Sequence, residues 1–403
     1  MDVKFPQGFR GAGVHCGVKS DATKEDLALL VSDAPCVAAG VYTQNRIRAA
    51  AVEWTRRRTP CSDARLVVIN SGNANACTGR RGEEDTAQMA RVAAECVGAP
   101  ADASLVLSTG IIGEHLPMAN VAAGIREAAG RLAGDGDSLH AVARGMMTTD
   151  TVPKLRGREV TLPADGGAAP VTVTVTGVAK GAAMIGPNMA TMLAVVMTDA
   201  ALAEPDAQAA LIDAVDESFN CISVDGHSST NDTVLLLANG RAGGPPVADR
   251  ALEHFRATLL EVCEDLAQSI PADGEGASHL ITIEVHGCRS RPEAVQIART
   301  VANSPLVKTA IAGADPNWGR IISAAGYAGV GFDASQVTLL INGLLVYEHG
   351  APVDFDAAAV SASIRDNRDC GIVLIFAEGA AAGRFWTTDL TAEYVRLNAE
   401  YHT

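Results

Sequence analysis

A threonine at a strand edge, a lysine eleven residues before it and a distant Thr-Gly pair are the side chains of this sequence best placed to do chemistry. Thr191 follows Ala190 in residues 177–200, GVAKGAAMIGPNMATMLAVVMTDA. The alternating VTVTVT before this stretch and the apolar run 193–197 within it both read as strands. Lys180, Gly181, Gly186, Pro187 and Asn188 are expected to break any regular element between them, because glycine and proline favour backbone conformations that helices and sheets do not use. Two readings fit. In one, this is a Gly/Pro turn and Thr191 is simply a good strand former. In the other, the turn presents Thr191 as a nucleophile. Its base would then be its own α-amine, freed by cutting the Ala190–Thr191 bond and titrating near pH ~7.7 in simple peptides. Lys180 reads as part of a glycine-rich loop, in a segment almost devoid of other charge, so its ammonium suits a substrate carboxylate as well as it suits solvent.

The strand 105–107 runs into Ser108, Thr109 and Gly110. A hydroxyl and a backbone N–H at such a strand end can converge on one point, as an oxyanion site requires, or can merely end the strand. Glu275 between Gly274 and Gly276 can meet an ammonium or sit in a solvated turn. Asp225, Asn231 and Asp232 fit a catalytic carboxylate or a turn capped by its own side chains. Cys77 has only Arg80 near it in sequence and reads as a small buried thiol rather than a nucleophile. His227 reads as a satisfied loop histidine before it reads as a base. GAGVHCG is one residue out of register for a dinucleotide fingerprint and follows no strand, so it reads as a glycine-rich turn.

The elements that must hold these residues alternate between strand and helix. Strands are expected on both sides of a turn at Ala34-Pro35, at 66–69, 105–107, 171–176, 193–197, 234–237, 280–285 and 372–376. A hairpin is expected across 155–170, and a second turning at Asn342-Gly343. Helices are expected at 83–97, with Met89, Val92, Ala93 and Cys96 inward, and at 138–147, 205–219, 249–270, 292–301 and 354–365. The tail DLTAEYVRLNAEYHT carries enough apolar side chains to dock on the body.

With 403 residues the chain exceeds a usual single core, so two domains are expected, 1–283 and 284–403. A net charge of −15 argues against nucleic acid or an anionic membrane as partner. The N-terminal residues lack an export signal and no long apolar span occurs, which makes the cytoplasm the expected compartment. Nine scattered cysteines without a close pair suit a reducing compartment, and no metal-binding spacing appears.

KGAAMIGPNMATML, NSGNANACTG and DPNWGR together resemble the ornithine acetyltransferase (glutamate N-acetyltransferase) family of arginine biosynthesis. The likeness runs from Gly8 to Thr403 and weakens at 155–170 and in parts of the second domain. It implies an α/β chain of the ornithine acetyltransferase/DmpA-like fold, with a layered α-β-β-α first domain and a smaller α/β C-terminal domain. It also implies self-cleavage between Ala190 and Thr191 into chains 1–190 and 191–403, which pair as αβ and assemble as (αβ)2. The implied reaction moves the acetyl group of N2-acetyl-L-ornithine to L-glutamate in a ping-pong sequence on Thr191. No metal or organic cofactor takes part, though acetyl-CoA is a possible second donor. Matching positions assign the oxyanion site to Thr109 and Gly110. Substrate binding falls to Thr148, Lys180, Thr191 and Glu275, and closure of the site to Asn398 and Thr403. The alternatives are an N-terminal-threonine aminopeptidase or amidohydrolase of the same fold, and a paralogous acetyltransferase of a secondary pathway. Two departures stand out: Gly186 replaces the family's alanine, and His227 stands where an acidic residue is common.

Overall fold

The computed structural model describes residues 3–163, 169–186 and 192–400. Its framework is two sheets of eight and seven strands. The first sheet runs in the order Ser104–Ile111, Cys61–Asn73, Leu27–Tyr42, Thr233–Ala238, Leu193–Thr198, Val171–Lys180 and Lys154–Leu162, with Phe9–Val14 added against Leu27–Tyr42. The second has Leu280–Cys288 near its middle, between Asp369–Ile375 and Ala381–Thr388. Ile222–Ser223 pairs with Trp386 and Thr387, so a short strand lying in sequence between the first-sheet strands Leu193–Thr198 and Thr233–Ala238 closes one edge of the second sheet.

Alternating side chains sort the strands into cores, since successive residues of a strand face opposite ways. Leu193, Val195 and Met197 pack with the helix Gly136–Met146, while Ala194 and Val196 join the helices Glu204–Glu217 and Asp249–Ala272. That second core continues without a break into the second sheet through Ile281, Ile283 and Val285. The 283/284 division therefore falls inside the strand Leu280–Cys288, whose apolar side chains share one cluster on both sides of it.

The turn expected at Ala34-Pro35 is absent: residues 27–42 form one sixteen-residue strand. Its pairing with Cys61–Asn73 shifts register between Val31 and Cys36, and such a bulge takes a proline without costing a ladder bond. The helix Gly79–Val97 buries Met89, Val92 and Ala93 as expected and ends on Gly98 in the left-handed conformation (φ 67°). Cys96 is nevertheless exposed in its last turn, and Cys77, expected to be buried, is exposed too. The GAGVHCG segment, expected as a turn, begins as the end of the strand Phe9–Val14; just beyond it, backbone N–H groups of Cys16, Gly17, Val18 and Lys19 converge within 2.6–3.0 Å on the buried Asp26 carboxylate, so the chain fills its own anion cradle. Asn342 and Gly343 both have positive φ, as the tight hairpin requires. In DPNWGR, Asn317 caps the helix Trp318–Gly326 and Arg320 bonds Leu306 O at 2.9 Å, tying two helices together. Among the described residues no helix is long and apolar enough to cross a membrane.

Candidate active site

Where several strands of the first sheet end, they leave a cavity of about 320 Å³. Lys180 is the last residue of its strand and sits opposite Leu193 in the antiparallel ladder. Leu193 in turn aligns with Thr233, which carries the level across to the loop 225–231. From the other side comes the strand Ser104–Ile111, parallel to Cys61–Asn73, bringing Thr109 and Gly110 to the same cavity. Gly110 has φ +131°, and a Cβ there would stand 2.2 Å from the carbonyl carbon of Gly72. Only glycine permits this approach of the two strands. Beneath them Asn231 donates its amide to Ala74 O and Ser108 O, both at 2.7 Å, and Ser108 donates to Asn70 Oδ1. This satisfied network makes the wall rigid.

Thr109, Gly110, Thr148, Lys180, Glu275 and Asn398, which are hundreds of residues apart at the extremes, all line this one cavity, together with Asp225, His227, Asn231 and Tyr394. Ala190 and Thr191 lie outside the described residues, as does Thr403. Met192, next to Thr191 in the chain, donates its N–H to Asp232 Oδ1 at 3.1 Å. Burial pushes the Asp232 carboxyl well above the usual carboxylate range, against that N–H and the charge of Lys180.

Lys180 is 2% exposed, and its Nζ reaches Thr109 Oγ1 at 3.4 Å. Among the described residues it has no salt-bridge partner. Burial draws its ammonium below the ordinary lysine value, opposed by the Asp150 carboxylate. Asp150 is committed elsewhere: it accepts Lys154 Nζ and Gly181 N–H at 2.7 Å and Thr148 N–H at 3.0 Å. Burial would raise this carboxyl, but the Lys180 and Lys154 charges and the Gly181 N–H hold it down to about 2. Lys154 also contacts Asp273 at 2.6 Å.

Two further groups complete the rim. Asp225 accepts N–H groups of Met184, Ile185 and His227 and the hydroxyl of Tyr394. It thus joins the segment after Lys180 to the tail helix Ala392–Glu400. Asn398 of that helix donates to Glu275 Oε2 at 2.8 Å, while Glu275 N–H is held by Ala182 O. His227 is exposed at the rim, fixed through its backbone. Asp225 looked in sequence like one of several turn-capping residues, and Lys154 and Asp273 carried no signal, because their partners are 119 residues apart.

A sequence profile of the ArgJ family matches residues 10–403. "Arginine biosynthesis bifunctional protein ArgJ" of Rhodopirellula baltica is 44% identical over 99% of this chain and 96% of its own length. Its namesake from Symbiobacterium thermophilum is 46% identical over 100% of this chain and 98% of its own length. The crystal structure of ArgJ from Bacillus halodurans superposes with a TM-score of 0.50 at 38% identity, over 50% of this chain and 96% of that one. The α/β fold is thus of the ornithine acetyltransferase/DmpA-like class. By full-length match and by fold, the chain belongs to the ArgJ/ornithine acetyltransferase family, N-terminal-nucleophile acyltransferases of arginine biosynthesis.

Proposed function

We propose that the enzyme transfers the acetyl group of N2-acetyl-L-ornithine to L-glutamate through Thr191, after cutting itself between Ala190 and Thr191. The observation that carries this reading is a buried lysine ammonium without a salt-bridge partner among the described residues, lining the same cavity as Glu275. Acetylornithine carries one carboxylate and one ammonium, and a cavity walled by one cation and by acids complements both. The Bacillus halodurans chain supports the cleavage: nearly all of it matches half of this chain, the size expected of one product of a cut near the middle.

In the first half-reaction Thr191 Oγ attacks the acetyl carbonyl while its α-amine takes the hydroxyl proton. Thr109 Oγ1–H and Gly110 N–H receive the oxyanion. Collapse breaks the amide C–N bond, the proton passes to the departing amine, and ornithine leaves an acetyl ester on Thr191. Glutamate's neutral α-amine attacks that ester, and N-acetylglutamate departs with Thr191 restored. Lys180 holds the α-carboxylate common to both amino acids, Thr148 and Glu275 bind the rest, and Asn398 and Thr403 close the site. No step needs a metal or an organic cofactor. Acetyl-CoA is the candidate second donor behind the "bifunctional" name of the relatives. Chains 1–190 and 191–403 stay paired as αβ and assemble as (αβ)2 in the cytoplasm.

Intact mass spectrometry should show two chains, the second beginning at Thr191, and Thr191→Ala should stay whole and inactive. Labelled acetylornithine supplied with glutamate should yield labelled N-acetylglutamate. Free labelled acetate alone, at saturating glutamate, would replace the transferase by a hydrolase of the same fold.

A further inference from the structure

We propose that Lys180 is also a positioning residue for the oxyanion site: its ammonium directs the Thr109 hydroxyl proton toward the reacting carbonyl. The proposal deepens the acyl-transfer reading above and rests on it. A threonine hydroxyl has one proton and two acceptor positions, whereas an ammonium can only donate. At the 3.4 Å contact Thr109 Oγ1 is therefore the acceptor, and its own proton must point elsewhere. Among the described residues no other hydrogen bond to Thr109 Oγ1 occurs, and the side chain, 2% exposed, borders the cavity. The proton is left to face the space where an acyl oxygen would sit.

Three features let the ammonium do this. The backbone of Lys180 is locked in the ladder opposite Leu193, and the following N–H is held by Asp150 at 2.7 Å. Asp150 spends its oxygens on Lys154 and on backbone N–H groups, so no salt bridge among the described residues draws Lys180 Nζ away from Thr109. The contact is also buried, where a charged donor polarises the hydroxyl it binds more strongly than it would in water. Lys180 thus serves the reaction even when the acyl donor has no carboxylate for it to bind.

p-Nitrophenyl acetate is such a donor: it brings an acetyl carbonyl and a good leaving group without an α-carboxylate. Co-expression of residues 1–190 and 191–403 supplies every variant already cut, and stopped-flow release of p-nitrophenolate reads acetylation of Thr191. Lys180→Met should slow this burst about 10- to 100-fold, somewhat less than outright loss of one oxyanion donor. Lys180→Arg should recover most of the rate. Thr109→Val should be slow as well, and the Lys180→Met/Thr109→Val double variant no slower than Thr109→Val alone, because both changes remove one device. A wild-type burst rate in Lys180→Met, with only its use of acetylornithine impaired, would confine Lys180 to carboxylate binding and overturn the inference. A wild-type enzyme that forms no acetyl-Thr191 would instead overturn the nucleophile assignment, and the mass of the 191–403 chain tells the two failures apart.

Discussion

Lys154 and Lys180 stand on neighbouring antiparallel strands, Lys154 directly opposite Ala179, and both are essentially inaccessible to solvent. One is enclosed by two carboxylates at 2.7 and 2.6 Å. The other has, among the described residues, a single 3.4 Å contact with a hydroxyl and borders a cavity. A desolvated charge without a partner is costly, so a fold keeps one only where something else supplies the opposite charge. For Lys154 the protein supplies it. For Lys180 we propose that the substrate does, and this difference separates a structural lysine from a functional one more sharply than burial does.

The largest effect expected from this contrast is on stability at Lys154. Lys154→Met strands the Asp150 and Asp273 carboxylates, and breaking a buried pair this way costs roughly 3–5 kcal/mol. Lys180→Met removes a desolvated charge and only a longer-range attraction to Asp150, which keeps Lys154 and its N–H donors, so the loss of folding free energy should be much smaller. Urea unfolding of the two variants side by side checks this. Equal losses would erase the distinction.

Asp150 gives the second test, through pH. Its folded value of about 2 lies below the ordinary 3.8, so the stability it contributes is fully present above pH 3.8 and drains away as pH falls through 2. That difference is worth about 2 kcal/mol. In a comparison of wild type with Asp150→Asn between pH 4 and pH 2, only the wild type should show this component of acid loss. Parallel slopes would mean that Asp150 is not the carboxylate held by the two lysines.

What the sequence made legible was set by distance along the chain. Period-two alternation exposed the strands at 171–176 and 193–197, and Asn342-Gly343 announced its hairpin, since each signal is local. The six described candidates that line the cavity were picked out from small-residue contexts and from family resemblance, not from any visible neighbour. Lys180 looked like part of a glycine-rich loop, yet it ends a strand, because the ladder with Leu193 overrides the local weakness of Gly177 and Gly181. Pro35 looked like a turn, and a register shift absorbed it. The Asp150–Lys154–Asp273 cluster was invisible, because nothing around Asp273 reports a lysine 119 residues earlier. Asp225 was seen only as one of several capping residues, since its Tyr394 partner is 169 residues away. The proposed cut at Ala190 and Thr191, outside the described residues, is read from sequence and family.

The smallest effect belongs to the cavity's outer wall, where the contrast with the buried lysines is sharpest. Asn398 donates to Glu275 from an exposed helix, in a contact that water can replace. Asn398→Ala should therefore change folding free energy by no more than about 0.5 kcal/mol, as surface substitutions usually do. Its effect on function has a different origin. Glu275 is fixed on one side by Ala182 O through its own N–H and on the other by the Asn398 amide, so losing the amide lets the carboxylate swing without unfolding anything. In the proposed mechanism both half-reactions use this wall, but only the second competes with water for the acetyl ester. The variant should accordingly process normally and release ornithine at nearly the wild-type rate, while the ratio of free acetate to N-acetylglutamate rises severalfold. Measuring both products from labelled acetylornithine checks it: an unchanged ratio would make the tail contact ornamental and leave acceptor capture to the buried side of the cavity alone.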